Sequence, residues 1–292
     1  MAEVLSTCFL NDEFQNTNNA QVSVLDRGFI FGDAVYEVIP VCDGVVFGLD
    51  EHLARLAESL AAIRMQLPRP ADGWRSLIYE LLTRNGGGNQ SIYIQITRGV
   101  APREHAISTD TKPTLLMFAM RARDLGVNPV AVISATDPRW QHCNIKATSL
   151  LANVLLRSEA QDKHAYETLL FRDGLLTEGA ASNVFVVIGE TIYTPRADNR
   201  ILPGITRQFL IDALAGSELE VQEQDVSEEM FSEASEIWLT SSTRDLVPVV
   251  SCNSEPVGSG KIGPVFDEAA KLYAKFKSSA LAAERERYPR SA

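Results

Sequence analysis

The sequence predicts a mixed α+β protein of two domains, and three observations lead there. Its 292 residues are enough for one large domain or two of ordinary size. The apolar pattern changes period along the chain, from strand-like alternation to helical spacing and back. A polar, glycine-containing stretch at 121–128 interrupts it, as linkers do. The expected division is a smaller α+β domain over 1–120, a linker at 121–128, and a larger α/β domain over 129–292 that carries Lys146.

Taken in order, Ala34 to Val41 reads as a strand, Asp43-Gly44 as a turn, and Val45 to Phe47 as the returning strand. A helix follows, with Asp50 as its expected cap and Leu53, Leu56, Leu60 and Ile63 as its apolar stripe. A second helix starts near Asp72, turns Trp74, Leu77, Ile78 and Leu81 inward, and stops at Asn85-Gly86-Gly87-Gly88. Ser91 to Arg98 alternates, with Ile92, Ile94 and Ile96 on one face, and Leu115 to Met120 reads as another strand. Beyond the linker, strands are expected at Val130 to Ser134, Glu167 to Arg172, Asn183 to Ile188 and Glu236 to Thr240. Helices are expected from Ser149 to Lys163, from Gly204, and from Pro264 to Ser279, the last with Lys271 and Lys275 outward.

Composition excludes several classes. Hydrophobic residues are 45% and charged residues 22%, which rules out disordered, collagen-like and coiled-coil chains. The net charge of −11 repels phosphate backbones, so nucleic-acid binding is not expected. The apolar runs are too short to span a bilayer, and the N-terminal stretch has neither the basic lead nor the apolar core of a signal peptide. Four scattered cysteines without a CxxC pair suggest reduced thiols in the cytoplasm, and four dispersed histidines give no metal motif. No metal, membrane or nucleic-acid partner is expected.

Seven lysines are present, and only Lys146 stands out. It precedes the apolar run Leu150-Leu151-Ala152. Burial favours the neutral amine, the form that makes Schiff bases. The competing reading is a lysine that snorkels from a helix start. Glu178, between the turn at Asp173-Gly174 and an apolar strand, reads either as a carboxylate facing a protonated ring nitrogen or as an ordinary turn residue. Leu202-Pro203-Gly204-Ile205-Thr206-Arg207 offers helix-start N–H groups and a hydroxyl as a phosphate seat. Thr240-Ser241-Ser242-Thr243 is a second hydroxyl-rich candidate. Both also fit plain helix and turn chemistry. Arg55 can supply charge to a phosphate or make a surface salt bridge. Arg103 and His105, two apart in a loop, can donate to one carboxylate or form a solvated basic loop.

Together these pieces resemble one family. Arg27-Gly28-Phe29-Ile30-Phe31-Gly32-Asp33-Ala34-Val35-Tyr36-Glu37, Glu51-His52-Leu53-Ala54-Arg55, Lys146, Thr177-Glu178-Gly179, Gly204-Ile205-Thr206-Arg207 and Thr240-Ser241-Ser242-Thr243 occur in order. The set resembles the fold-type IV pyridoxal-phosphate enzymes: D-amino acid and branched-chain aminotransferases and aminodeoxychorismate lyase. It extends over roughly residues 4 to 280. The resemblance implies that Lys146 holds pyridoxal 5′-phosphate (PLP) as a Schiff base and moves the substrate proton. It implies that Glu178 keeps the pyridine nitrogen protonated, so that the ring is an electron sink. It further implies that Arg55, Ile205, Thr206 and Ser242 hold the phosphate, that Ser241 also binds the cofactor, and that Leu202 packs on the ring.

Tyr36-Glu37-Val38 and Arg103-x-His105 are similar to the D-amino acid aminotransferase branch. There Tyr36, Arg103 and His105 would trap the substrate α-carboxylate. Arg103 and His105 would come from a second subunit, which implies a homodimer with shared sites. The expected reaction moves the amino group of a D-alanine-like donor to 2-oxoglutarate or pyruvate. A branched-chain L-amino acid aminotransferase, an aminodeoxychorismate lyase, and a PLP-binding protein without turnover are the alternatives. One departure stands out: the branch typically has three serines between Gly179 and Asn183, and this chain has Ala180-Ala181-Ser182.

Overall fold

The computed structural model describes residues 3–107, 110–122 and 126–288. The chain clusters into two units: one of Met1–Asp124, Ile145–Ser149 and Ala280–Ala292, the other of Leu125–Asn144 and Leu150–Ser279.

The first unit contains β1 (Val4–Leu10), β2 (Glu13–Asn16), α1 (Arg27–Phe31), β3 (Ala34–Cys42), β4 (Val45–Val46), α2 (Leu49–Ala62), α3 (Ala71–Arg84), β5 (Gln90–Thr97) and β6 (Thr114–Arg121). Its strands form one antiparallel sheet in the order β2-β1-β6-β5-β3-β4. The alternation read at Ile92, Ile94 and Ile96 is realised: all three are buried in the core. Val35 and Ile39 of β3, Met117 of β6, the Leu53-Leu56-Leu60 stripe of α2, and Trp74, Ile78 and Leu81 of α3 complete it. Burying each such side chain is worth about 1.5–3 kcal/mol.

The cap of α2 differs from expectation. Gly48 caps it with φ 68°, a left-handed conformation that suits glycine. Asp50 instead lies in the first turn, where the helix dipole favours it, and pairs with Arg75 at 2.6 Å and Arg287 at 2.8 Å.

The second unit contains β7 (Val130–Thr136), α4 (Leu151–Asp162), β8 (Glu167–Arg172), β9 (Leu175–Gly179), β10 (Asn183–Ile188), β11 (Thr191–Thr194), α5 (Ile205–Leu214), β12 (Glu220–Glu223), α6 (Glu228–Ser232), β13 (Glu236–Ser241), β14 (Asp245–Cys252) and β15 (Glu255–Pro256). The final helix, α7 (Pro264–Arg287), starts in this unit and runs past the expected end at Ser279. The strands form a mixed sheet in the order β12-β11-β10-β13-β14-β7-β8-β9, with β15 on β14. The pairs β7–β8, β14–β7 and β11–β12 are parallel; the rest are antiparallel. Val184 and Val186 of β10, Ile237 and Leu239 of β13, and Val247 and Val249 of β14 fill its core. Glu236 fixes the start of α7, accepting from the backbone N–H of Val265 at 3.0 Å and Phe266 at 2.8 Å.

Two sequence expectations need correction. The segment carrying Lys146 clusters with the first unit, not with 129–292. Its backbone is stitched to that unit: Tyr36 N–H donates to Lys146 O at 2.9 Å, Thr148 N–H to Ala34 O at 3.0 Å, and Val35 bridges Ala147. Nor is the run after Lys146 core: Leu151 is 73% exposed, with Val154 and Leu155 exposed one turn on. Within the expected linker at 121–128, residues 123–125 lie outside the described residues. No helix among the described residues is long and apolar enough to cross a membrane.

Candidate active site

In the first unit the period of β3 sets the chemistry. Glu37 shares the inward face with Val35 and Ile39, whereas Tyr36 points the other way. On α2, His52 and Arg55 are three residues apart and face inward together. Glu37 is wholly buried and accepts from Arg55 Nε at 2.7 Å and Nη2 at 2.9 Å. His52 Nδ1 lies 2.7 Å from its Oε2; since a carboxylate accepts, that nitrogen carries the hydrogen. Burial alone would raise the Glu37 carboxyl, but Arg55 and His52 outweigh it and hold it well below the usual range. Burial also pushes the His52 imidazole below its ordinary value. Arg55 is therefore a buried cation already oriented by a carboxylate, not a surface salt bridge.

Lys146 is half-buried beside this cluster. Its N–H donates to the buried Ser59 Oγ at 3.2 Å, and its Nζ lies 4.3 Å from the centre of the Tyr36 ring. Tyr36 stacks on Tyr93, and Tyr93 on Phe118, at centroid distances of 5.6 and 4.8 Å. Tyr36, Arg55 and Lys146, singled out in the sequence, thus share one neighbourhood.

Arg103 and His105 are exposed on the loop after β5. Both lie against Phe31: the Arg103 guanidinium is 5.6 Å from the ring centre, the His105 ring 5.5 Å. Arg27 roots the loop by donating to Glu104 O at 2.5 Å, and is itself held by Asp33 at 2.8 Å. Arg98, at the loop's other root, binds the same carboxylate at 2.8 Å.

In the second unit a hairpin turn at Asp173-Gly174, both with positive φ, returns the chain into β9 and buries Glu178. Glu178 Oε1 pairs with Arg139, and Oε2 accepts from Asn183 Nδ2 at 3.0 Å and Leu202 N–H at 3.1 Å. Arg139 is locked by both oxygens of Asp137, each at 2.9 Å. Burial pushes the Glu178 carboxyl up to about 7, and Arg139 pulls against that rise. Leu202 meets Glu178 through its backbone N–H.

Downstream, Gly204 caps α5 without a side-chain hydrogen bond, so the N–H groups of Ile205 and Thr206 open the helix with no capping hydroxyl of its own. Thr240 Oγ1 is buried without a hydrogen-bond partner, directly before Ser241 and Ser242 at the β13–β14 turn. Ala180, the first of the two alanines noted as a departure in the sequence, is buried against Leu156 and Leu170, an apolar setting. Ser182 Oγ donates to Glu167 Oε2 at 3.1 Å.

The profile described as amino-transferase class IV matches residues 34–252. The chain belongs to the class IV aminotransferases. It is 37% identical over 258 residues to a D-alanine aminotransferase from Bacillus licheniformis, covering 87% of this chain and 91% of that one. The branched-chain amino acid aminotransferase of Escherichia coli shares the fold, with a TM-score of 0.87 at 24% identity over 94% and 95% of the two chains. The branched-chain aminotransferase of the thermophilic archaeon Thermoproteus uzoniensis, solved with norvaline, superposes with a TM-score of 0.85 at 21% identity over 98% and 97%.

The aminotransferase uses PLP, the cofactor of its family. Its residues fit that group. A buried carboxylate surrounded by donors suits a protonated pyridine nitrogen, and an uncapped helix start with an orphan hydroxyl nearby suits a phosphate. Sequence reasoning missed Arg139, Asp137 and Asn183 around Glu178, and Glu37 and His52 around Arg55. The nearest available signal was His52 three residues before Arg55, with Glu37 at an inward strand position.

Proposed function

We propose that this aminotransferase moves the amino group of a D-amino acid, D-alanine or a similar donor, to a 2-oxo acid such as 2-oxoglutarate or pyruvate. The observation that carries this reading is the 37% identity with a D-alanine aminotransferase over most of both chains, against 24% or less for the branched-chain structures described above. The loop Arg103-Glu104-His105 and Tyr36 support it, because together they supply donors for an α-carboxylate.

Bound PLP supplies an aldehyde that takes up the amino group and a protonated ring that draws electrons from the substrate Cα. Lys146 Nζ would hold the cofactor covalently and would move the proton at the substrate Cα. Taking up that proton requires the amine's free electron pair. Glu178 would accept from the ring nitrogen. Arg55, the N–H groups of Ile205 and Thr206, and the hydroxyl of Ser242 would bind the phosphate, Ser241 would be a further cofactor contact, and Leu202 would bound the ring. Tyr36, Arg103 and His105 orient the substrate carboxylate.

The protein acts in the cytoplasm as a homodimer, with Arg103 and His105 serving the second copy's site. Exposed apolar residues beside their loop support this: Phe29 is 72% exposed, and Val100 and Ile107 are about half exposed.

A panel of D- and L-amino donors with two 2-oxo acid acceptors tests the reading. Oxo-acid release from D-alanine is the expected result. Turnover confined to L-leucine or L-isoleucine would overturn it, as would release of pyruvate from aminodeoxychorismate with no acceptor present.

A further inference from the structure

Each of the three groups hydrogen-bonded to the Glu178 carboxylate is a donor, and the like charge of Asp137 nearby works against its ionisation. Leu202 O can only accept, so the Asn183 atom 2.8 Å from it is Nδ2, which fixes the amide's orientation. The second Nδ2 hydrogen goes to Glu178 Oε2, beside the Leu202 N–H. Arg139 covers Oε1. Arg139 cannot turn away, because Asp137 holds its Nε and Nη2, and Asp137 is in turn bound by Arg172 at 2.9 Å and by Thr177 Oγ1 at 3.1 Å. A protonated Glu178 would carry a hydrogen for which none of these three neighbours offers an acceptor.

We propose that Asn183 and Arg139 are positioning residues that keep Glu178 an ionised acceptor, so that its partner on the cofactor is a protonated ring nitrogen and not a bare one. The inference rests on the reading of Glu178 as the ring-nitrogen partner. Asn183 does more than donate. Its Oδ1 occupies the space where a Cβ on Gly204 would stand, so the amide that orients Glu178 also requires the glycine that opens the phosphate seat. One side chain thereby touches both the carboxylate that would face the ring and the glycine at the helix start that would face the phosphate. Burial drives Glu178 toward the neutral acid, with Arg139 the largest opposing influence and the Leu202 N–H a further one. Removing a donor takes away part of what opposes burial and shifts the carboxyl further toward the neutral acid. The carboxyl would then donate to the ring nitrogen, and the ring would lose its positive charge.

The test uses PLP labelled with 15N in the ring, bound to wild type, Asn183→Ala, Arg139→Met and Glu178→Gln, with the ring-nitrogen signal followed from about pH 5 to about pH 10. Wild type shows a protonated nitrogen through neutral pH. In Arg139→Met the deprotonation midpoint falls by about 1–3 units, the range set by an adjacent opposite charge. Asn183→Ala moves the same way by less, and its PLP affinity falls about tenfold with one charge-assisted hydrogen bond gone. Asn183→Asp, which adds a second carboxylate, shifts the midpoint further than Asn183→Ala.

An unchanged signal in Glu178→Gln would sink the assignment of Glu178 itself. A shift in Glu178→Gln with none in the Asn183 and Arg139 variants would sink this proposal alone. Should those variants fail to fold, isotope-edited infrared spectra of the wild-type holoenzyme decide: an ionised Glu178 at neutral pH supports the proposal, and a protonated carboxyl band overturns it.

Discussion

Replacing Glu37 with glutamine should destabilise the protein by about 3 kcal/mol, because it removes the negative charge that faces a buried arginine. Glu37 is wholly buried and Arg55 is 5% exposed, so solvent screens the pair little. Removing one partner of such a pair costs about 3–5 kcal/mol. Glutamine keeps the shape and one acceptor oxygen, which places the effect at the low end. The assay is urea unfolding at neutral pH, with a parallel thermal melt in which about 3 kcal/mol should appear as a fall of roughly 6–10 °C. The pH dependence adds a second check. The folded carboxyl is held well below the unfolded value of about 4.3, so its contribution is complete above that pH and is lost as pH falls through the folded value. In an H52Q background, which removes the neighbouring imidazole's titration, the gap on adding E37Q should therefore stay constant from about pH 8 to pH 5 and narrow in stronger acid. A variant within about 0.5 kcal/mol of wild type, the range of ordinary surface substitutions, would refute this reasoning.

Three further outcomes follow from the same geometry. Burial holds the His52 imidazole below its unfolded value of 6.5, so the unfolded chain takes up that proton first and stability falls as pH drops below about 6.5; in H52Q that part of the acid sensitivity, read by melts across pH, should disappear. A Cβ at Gly204 would run into Asn183 Oδ1, so G204A should lose about 1–3 kcal/mol of stability in urea and bind PLP more weakly by fluorescence titration. Arg103→Ala should raise the KM of both amino and 2-oxo acid while PLP affinity holds; unchanged constants for both substrates would refute the proposed contact of Arg103 with the carboxylate.

Strands with continuous apolar runs were legible to the residue. The expected spans Glu167 to Arg172 and Asn183 to Ile188 are β8 and β10. Each has a continuous apolar run with turn residues nearby, and burial on both faces leaves little ambiguity. Neither β1 nor β9 was drawn from the sequence. The short β9 holds only Leu175–Gly179 and ends in a polar triplet whose burial depends on partners elsewhere. The helix after Lys146 was found, but its environment was not: Leu151, Val154 and Leu155 look like core by composition yet are exposed. A local pattern reports an apolar stripe without reporting what covers it.

The candidate site divides in the same way. Lys146, Glu178, Arg55 and the Gly204 turn were drawn from local context and resemblance. The groups that orient them were not, because they are distant in sequence. Arg139 lies 39 residues before Glu178, and Glu37 lies 18 before Arg55. No spacing rule links such pairs; the folded sheet does. The main boundary, between Asp124 and Leu125, falls inside the expected linker, but one segment joins the other unit for a related reason. Residues 145–149 follow 129 in sequence, but their backbone hydrogen bonds run to β3 and α2, and those bonds decide which unit they join.

The account stands on Lys146 as the residue that bonds to PLP. Borohydride reduction of the loaded enzyme, followed by proteolysis and mass spectrometry, tests this directly. A phosphopyridoxyl group on the peptide containing Lys146, absent from Lys146→Ala, is the expected result; a label on any other lysine, or none at all, would contradict it.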